Sequence, residues 1–285
     1  MAVIMQCHRD IQLINKIIDF FYDNDIDVYI HVDKKSSIKH KITRKNNVFI
    51  LDNSIDVRWA RYSQVEATLS LMRSVKNRGE KYKYIHFISG QDYPIKSIEY
   101  IKKFFEKTNK QYLEFFKFPN EELVKNGRDR YEVYYPQWII DRPKCYWKRI
   151  LRVIYREVIL SSKILKRNLK IIPEVYGGSC WFSITGECMS YILNFIDSNK
   201  EYEKFFENSI YPDEMFFHTI ILNSKYKKDT VNNNLRYLDW SEGKESPKVL
   251  SKVDIDLAIN SNNIFARKIE DINILEYIDE KLKFE

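Results

Sequence analysis

Residues 209–219 read SIYPDEMFFHT, so two carboxylates, Asp213 and Glu214, follow a proline directly and precede a run of large apolar side chains. Adjacent carboxylates suit proton transfer. They equally suit a helix start, where the macrodipole favours acids and a proline loses nothing by lacking an N–H. The spacing predicts a helix from Pro212 to about Asn223, with Met215, Ile220 and Leu222 turned inward. Other polar groups able to hold a ligand stand where apolar runs end. His31 and Asp33 close VYIHVD, and Gln91 and Asp92 follow YIHFIS. Their plain alternatives are strand ends bonded to local backbone and, for Asp92, a turn before Tyr93 and Pro94.

The elements that must position these groups alternate between strand and helix signals over the first hundred residues. AVIMQ at 2–6 reads as a buried strand, and IQLINKIIDFFYDN carries Leu13, Ile17, Phe20 and Phe21 at helical spacing. VYIHVD and VFILD (48–52) are further apolar runs with polar ends. SQVE at 63–66 has the form of a capping box, and it opens a helix with Val65, Leu69 and Met72 on one face. YKYIHFISGQDYP is a strand running into a turn, with a helix at about 97–107 after it. This alternation predicts an α/β fold, mostly parallel, with helices on both faces of the sheet. Ligands of such sheets bind beyond the carboxyl ends of the strands. Later, VYGGSCWFSIT reads as a strand entered through two glycines, with Cys180, Phe182 and Ile184 alternating against Trp181 and Ser183.

Composition excludes several classes. The chain has 285 residues, 15% of them aromatic, and only seven Gly and seven Pro, which is globular and ample for a core. Cys7, Cys145, Cys180 and Cys188 form no CxxC pair and no zinc spacing, so they read as core thiols of a reduced, intracellular protein. GxGxxG, Walker, GxSxG and HExxH patterns are absent. Asp-x-Asp occurs at Asp23/Asp25, Asp25/Asp27 and Asp254/Asp256, and the first two pairs precede a strand as turn acids. A strand at 2–6 leaves no room for a leader, and no apolar run nears the roughly 20 residues of a membrane span. A cytoplasmic location is expected.

Taken in order, IHVDKKS (30–36), RWARYSQVEATLSLM (58–72), FISGQDYPIKS (87–97), GGSCWFSIT (177–185), YPDEMFFHTIILNS (211–224), LRYLDWSEG (235–243), SPKVL (246–250) and FARKIE (265–270) resemble the core-2/I-branching β-1,6-N-acetylglucosaminyltransferase family. That family includes peptide O-xylosyltransferases and many bacterial members. Residues 110–176 match poorly apart from RDRYEVYY at 128–135. The resemblance implies a GT-A fold, a UDP-sugar donor, inversion at the anomeric carbon and no divalent metal. It implies one domain, with a nucleotide-sugar half at 1–110 and an acceptor and catalytic half at 111–285.

Inverting transfer needs a base for the acceptor hydroxyl and a positive group for the leaving diphosphate. By resemblance Glu214 is the base, while Asp213 holds the shape of the site or touches the acceptor. A helix start weakens Glu214 as a base, and desolvation strengthens it. Lys268 and Lys248 fall where relatives bind the diphosphate, though a lysine lacks the arginine fork. Arg267 beside Lys268 reads as a solvated surface charge. His31 and Asp33 fall in the expected uridine pocket, and Asp92 would orient the donor sugar. Trp240 and Trp181 are candidates to stack on the acceptor sugar, or partly buried core. Arg128 and Arg130 match a basic–tyrosine stretch near the acceptor.

Charge is concentrated in one segment. Residues 142–170 hold ten Lys and Arg against Glu157 alone, a net +9 within a chain of net +7, leaving −2 elsewhere. Within it Trp147, Ile150, Leu151, Ile154, Tyr155 and Val158 recur at helical spacing. Such a basic amphipathic helix lies on anionic membranes, here beside a lipid-linked acceptor on the inner face of the plasma membrane, or packs its stripe on the domain. Nucleic acid is not an expected partner, because no matching motif or second basic face exists.

Overall fold

The computed structural model describes residues 1–135, 146–161, 166–244 and 246–283. Cys145 and two stretches of the basic segment, 142–145 and 162–165, lie outside the described residues. The four apolar runs of the first half form strands β1 (Ala2–Cys7), β2 (Asp27–Val32), β3 (Val48–Ile50) and β4 (Tyr84–Ser89). Then come β5 (Tyr93–Pro94), β6 (Gln111–Leu113), β7 (Phe116–Lys117), β8 (Tyr176–Gly177), β9 (Phe182–Thr185), β10 (Thr230–Asn232), β11 (Arg236–Leu238) and β12 (Phe265–Arg267).

Seven strands make the main sheet, in the order β10-β6-β9-β4-β1-β2-β3. β3, β2, β1 and β4 run parallel, as do β6 and β10. β9 alone runs against its neighbours β4 and β6. The period-2 alternation of β1 divides the core. Val3, Met5 and Cys7 face one apolar cluster with Leu13, Ile14 and Ile17 of the helix Ile11–Tyr22. Ala2 and Ile4 face the other, with Val65, Leu69 and Met72 of the helix Ser63–Asn77.

A smaller sheet, β11-β12-β5, is fastened to this one by Arg236. Its guanidinium is buried and donates to the carbonyls of Phe87 (2.8 Å) and Phe182 (2.9 Å) and to Ser183 Oγ (2.9 Å). Burial pushes the Arg236 pKa down to about 10, and these acceptors, joined by the Asn234 carbonyl, surround the charge that remains.

Three local expectations are corrected. Ser63 is the first residue of its helix and not a cap, because its Oγ accepts from the Arg58 N–H at 2.8 Å. The helix expected from Pro212 to Asn223 is two pieces, a 3-10 turn at Pro212–Glu214 and a helix at Phe216–Leu222, broken at Met215 where φ is −126°. VYGGSCWFSIT is likewise divided into β8 and β9, and Ser183 is as buried as Phe182 because both faces of β9 are covered.

The basic segment does form a helix, Tyr146–Ser161. Its stripe is not packed on the domain: Trp147, Ile150, Leu151, Ile154 and Val158 are all exposed, and Tyr155 alone of those six is partly buried. Among the described residues, no helix is long and apolar enough to cross a membrane.

Candidate active site

The carboxyl ends of β1, β2 and β4 lie level, with Gln6 in register with His31 on one side and Ser89 on the other. A cleft of about 280 Å³ opens beyond them, and His31, Asp33, Trp181 and Asp213 line it together with Gln91 and Arg267.

His31 points to the face covered by the helix Ser63–Asn77. Its Nε2 accepts the Ile55 N–H at 2.9 Å, so the neutral ring carries its proton on Nδ1. Burial lowers its pKa and keeps it neutral. Nδ1 is buried without a protein partner, leaving a donor for a ligand. Asp33 is more occupied: its carboxylate accepts the Lys35 N–H at 2.8 Å and pairs with Lys35 Nζ at 3.0 Å.

The carboxylate pair stands on a strained support. Tyr211 adopts φ 54° and donates its N–H at 3.1 Å to the carbonyl of Ala60, which itself has φ 60°. Two non-glycine residues in the left-handed region cost about 1–3 kcal/mol each and persist only where the surroundings impose them. Gly178 fixes the turn from beneath, since its N–H donates to the Glu214 carbonyl at 2.9 Å. A Cβ on Gly178 would lie 1.9 Å from the carbonyl oxygen of Glu114. The glycine is required by that close approach.

Asp213 faces the cleft. Gln64 Nε2 donates to its Oδ2 at 3.5 Å, and Oδ1 is buried without a partner. Burial, and then the charge of Glu214, push the Asp213 carboxyl up to about 7. Burial also raises Glu214, while Arg130 pulls it back. Arg130 Nη1 stands 2.6 Å from Glu214 Oε2, and the Glu214 side chain keeps 37% of its surface exposed. Neither acid lies within the helix Phe216–Leu222, so the dipole of that helix acts on them less than the sequence suggests.

Asp92 is fully enclosed under the cleft. Its Oδ2 accepts the Ser89 N–H at 2.6 Å and pairs with Arg267 Nη1 at 3.1 Å. Arg267 is not a solvated surface charge. It is 15% exposed, lines the cleft, and lies 4.4 Å over the Trp181 ring. This is the cation that the sequence reading passed over, although it adjoins Lys268.

The other candidates stand apart from the cleft wall. Lys268 pairs with Glu270 at 2.6 Å, and Glu270 Oε1 also accepts from Gln91 Nε2 at 2.8 Å, which links it to the rim. Lys248 pairs with Asp254 at 2.8 Å and Asp239 at 3.6 Å. Trp240 is exposed on the turn after β11. Arg128 turns away from Arg130 and pairs with Glu132 at 3.7 Å. Among the described residues, no three His, Cys, Asp or Glu side chains come together to hold a metal ion.

The chain is similar to xylosyltransferase 1 of Rattus norvegicus, 25% identical over 251 residues that make 84% of this chain and 28% of that protein. Xylosyltransferase 1 of Homo sapiens is 25% identical over 251 residues, 84% of this chain and 24% of that one. Xylosyltransferase 2 of Canis lupus familiaris is 25% identical over 245 residues, 82% and 25%. The chain spans about a quarter of the length of these curated relatives. A solved structure, the crystal structure of A197 from STIV, gives a TM-score of 0.26 at 13% identity over 67% of this chain and 68% of that one, too low to bear on the fold. The family model for the Core-2/I-Branching enzyme matches residues 2–258. With that match, and with a mostly parallel sheet flanked by helices as in GT-A-like glycosyltransferases, the chain belongs to the Core-2/I-Branching enzyme family.

Proposed function

We propose that the chain is an inverting glycosyltransferase, moving a sugar from a UDP-sugar to a hydroxyl of a glycan acceptor without a divalent metal. The observation that carries this reading is the setting of Glu214. It is a carboxylate held by Arg130 on a strained turn, partly exposed, and next in the chain to Asp213, which lines the cleft formed by strand ends. In the proposed step Glu214 takes the acceptor proton, and the freed oxygen bonds to the anomeric carbon. The bond from that carbon to the β-phosphate oxygen breaks, and UDP leaves with the electron pair. Such a leaving group needs fixed positive charge.

Arg267 supplies that charge at the cleft wall, and Lys268 and Lys248 join it by exchanging their carboxylate partners for phosphate oxygens. The metal-free reading is supported by the pairing of Asp92, whose strand-end carboxylate is already matched by Arg267. His31 Nδ1–H and Asp33 are assigned to the uridine, and Asp92, through Arg267, to orienting the donor sugar. Trp181, Trp240, Asp213, Arg128 and Arg130 are assigned to the acceptor side.

GlcNAc is the first donor assignment. Xylose is the second, favoured by the names of the relatives. The test is thermal unfolding with UDP, GDP and a panel of UDP-sugars in EDTA. A ligand at a hundred times its Kd adds about 2.7 kcal/mol, and each kcal/mol raises Tm by roughly 2–4 °C at this size. A shift with UDP and one UDP-sugar in chelator names the donor. A shift that appears only with Mn²⁺ overturns the metal-free assignment. No shift with any nucleotide favours a carbohydrate-binding protein without turnover.

A further inference from the structure

The helix Tyr146–Ser161 carries Trp147, Ile150, Leu151 and Ile154 at i, i+3, i+4 and i+7, which is one continuous face. All four are exposed, from 44% for Ile150 and Leu151 to 58% for Trp147. A water-facing helix is expected to turn such a stripe inward. Here only the edge of the stripe is seated. Tyr155, four residues after Leu151, packs against the cluster of Ala60, Val133 and Tyr135, which also holds Tyr211, and Trp147, Ile150, Leu151 and Ile154 beside it stay exposed.

The same helix has four basic residues, Lys148, Arg149, Arg152 and Arg156, against one acid, Glu157. That charge selects the occupant. A second copy of the chain would bring the same positive face and be repelled. A nucleic acid would use the cations and leave the four apolar side chains in water. An anionic lipid surface satisfies both, with cations at the headgroups and apolar side chains in the acyl boundary.

We infer that the helix Tyr146–Ser161 docks the protein on an anionic membrane, inserting Trp147, Ile150, Leu151 and Ile154. Because Tyr155 and Tyr211 share one cluster, the docked face adjoins the turn that bears Asp213 and Glu214. An acceptor anchored in lipid would meet the carboxylates there. The docking itself does not depend on the transfer reading.

The test is flotation of the full chain with phosphatidylcholine vesicles, with and without phosphatidylglycerol, at low and high salt. Binding is expected only to the anionic vesicles and is lost at high salt. Lys148→Gln with Arg152→Gln, and separately Ile150→Gln with Ile154→Gln, are each expected to weaken it on the order of tenfold or more. Glutamine keeps helix propensity, and an unchanged Tm certifies the fold of each variant. Trp147 emission is expected to shift to the blue with anionic vesicles, a change absent in Trp147→Phe. No binding, equal binding to neutral vesicles, or variants that bind like the wild type would overturn the inference. So would dimerisation abolished by the isoleucine pair, which would give the face to a second copy. Flotation reads no turnover, so its result is separate from that of the nucleotide panel.

Discussion

Arg130 Nη1 lies 2.6 Å from Glu214 Oε2, which ion-pairs the carboxylate proposed to take the acceptor proton. The two residues come from the short helix Asp129–Glu132 and from the turn Pro212–Glu214. The pairing sets a compromise: burial strengthens the base and the guanidinium weakens it. Removing the guanidinium should therefore raise the Glu214 pKa. Arg130→Gln is expected to move the acidic limb of kcat/KM to higher pH, measured over a pH series with the donor that the panel identifies. A limb that stays in place would mean that Glu214 does not set it.

Glu214→Gln removes the base at nearly constant volume. Transfer is expected to fall by roughly 10²–10⁴-fold, while the UDP-induced rise in Tm is kept. Comparable transfer in the variant would remove Glu214 from the base role. Retained binding with lost transfer would also separate an enzyme from a mere sugar-binding protein.

Asp213→Asn should stabilise the fold in a pH-dependent way. The folded-state pKa of Asp213 is raised from 3.8 to about 7, so folding resists its ionisation. A raised acid carries no penalty below about 4, a growing one from there to about 7, and a constant one above. The Tm difference between variant and wild type should follow that course. A difference that is flat with pH would show that Asp213 ionises as easily folded as unfolded.

Arg267→Met strands the enclosed Asp92 carboxylate, and loss of one partner of a buried pair costs about 3–5 kcal/mol. Adding Asp92→Asn should recover part of that loss of stability without restoring the UDP response. Urea unfolding of the single and double variants reads the first effect, and the nucleotide panel reads the second. Independent, additive losses would show that the two residues do not act as a pair.

Gly178→Ala places a methyl group 1.9 Å from the Glu114 carbonyl oxygen, a backbone atom that has no rotamer to escape through. A loss of about 1–3 kcal/mol is expected, with transfer falling further than stability because the Gly178 N–H holds the Glu214 carbonyl. Calorimetry beside an activity assay at low temperature separates the two. Full activity in a stable variant would show that the turn is not positioned from this side.

Local pattern made the parallel strands legible, since each is a short apolar run bounded by polar residues and β1 alternates strictly between two clusters. The place of His31 and Asp33 at the cleft followed from the same rule, because β2 ends at Val32 and carries both to the carboxyl edge of the sheet. Arg267 was not legible. In FARK two cations follow one another, and a period of two says that they point to opposite faces without saying which one enters the cleft. The Ser63 cap failed for a related reason, as a hydroxyl that suits a cap also suits the Arg58 N–H beside it. The break at Met215 and the Arg130–Glu214 pair depend on partners brought from distant segments, which no local spacing encodes. The direction of the stripe on Tyr146–Ser161 was hidden too, because periodicity defines a face and not what covers it.

The place of β9 between β4 and β6 has a consequence for synthesis. As the chain leaves the ribosome, β1 to β4 can pair early, yet the free edge of β4 waits for a strand made long afterwards. During that interval the nascent protein presents an open, apolar sheet edge, the kind of surface that other chains add to. A translational pause before residue 182, or truncation near residue 110, should therefore send this protein towards chaperones or aggregates. The first hundred residues would not emerge as a stable half.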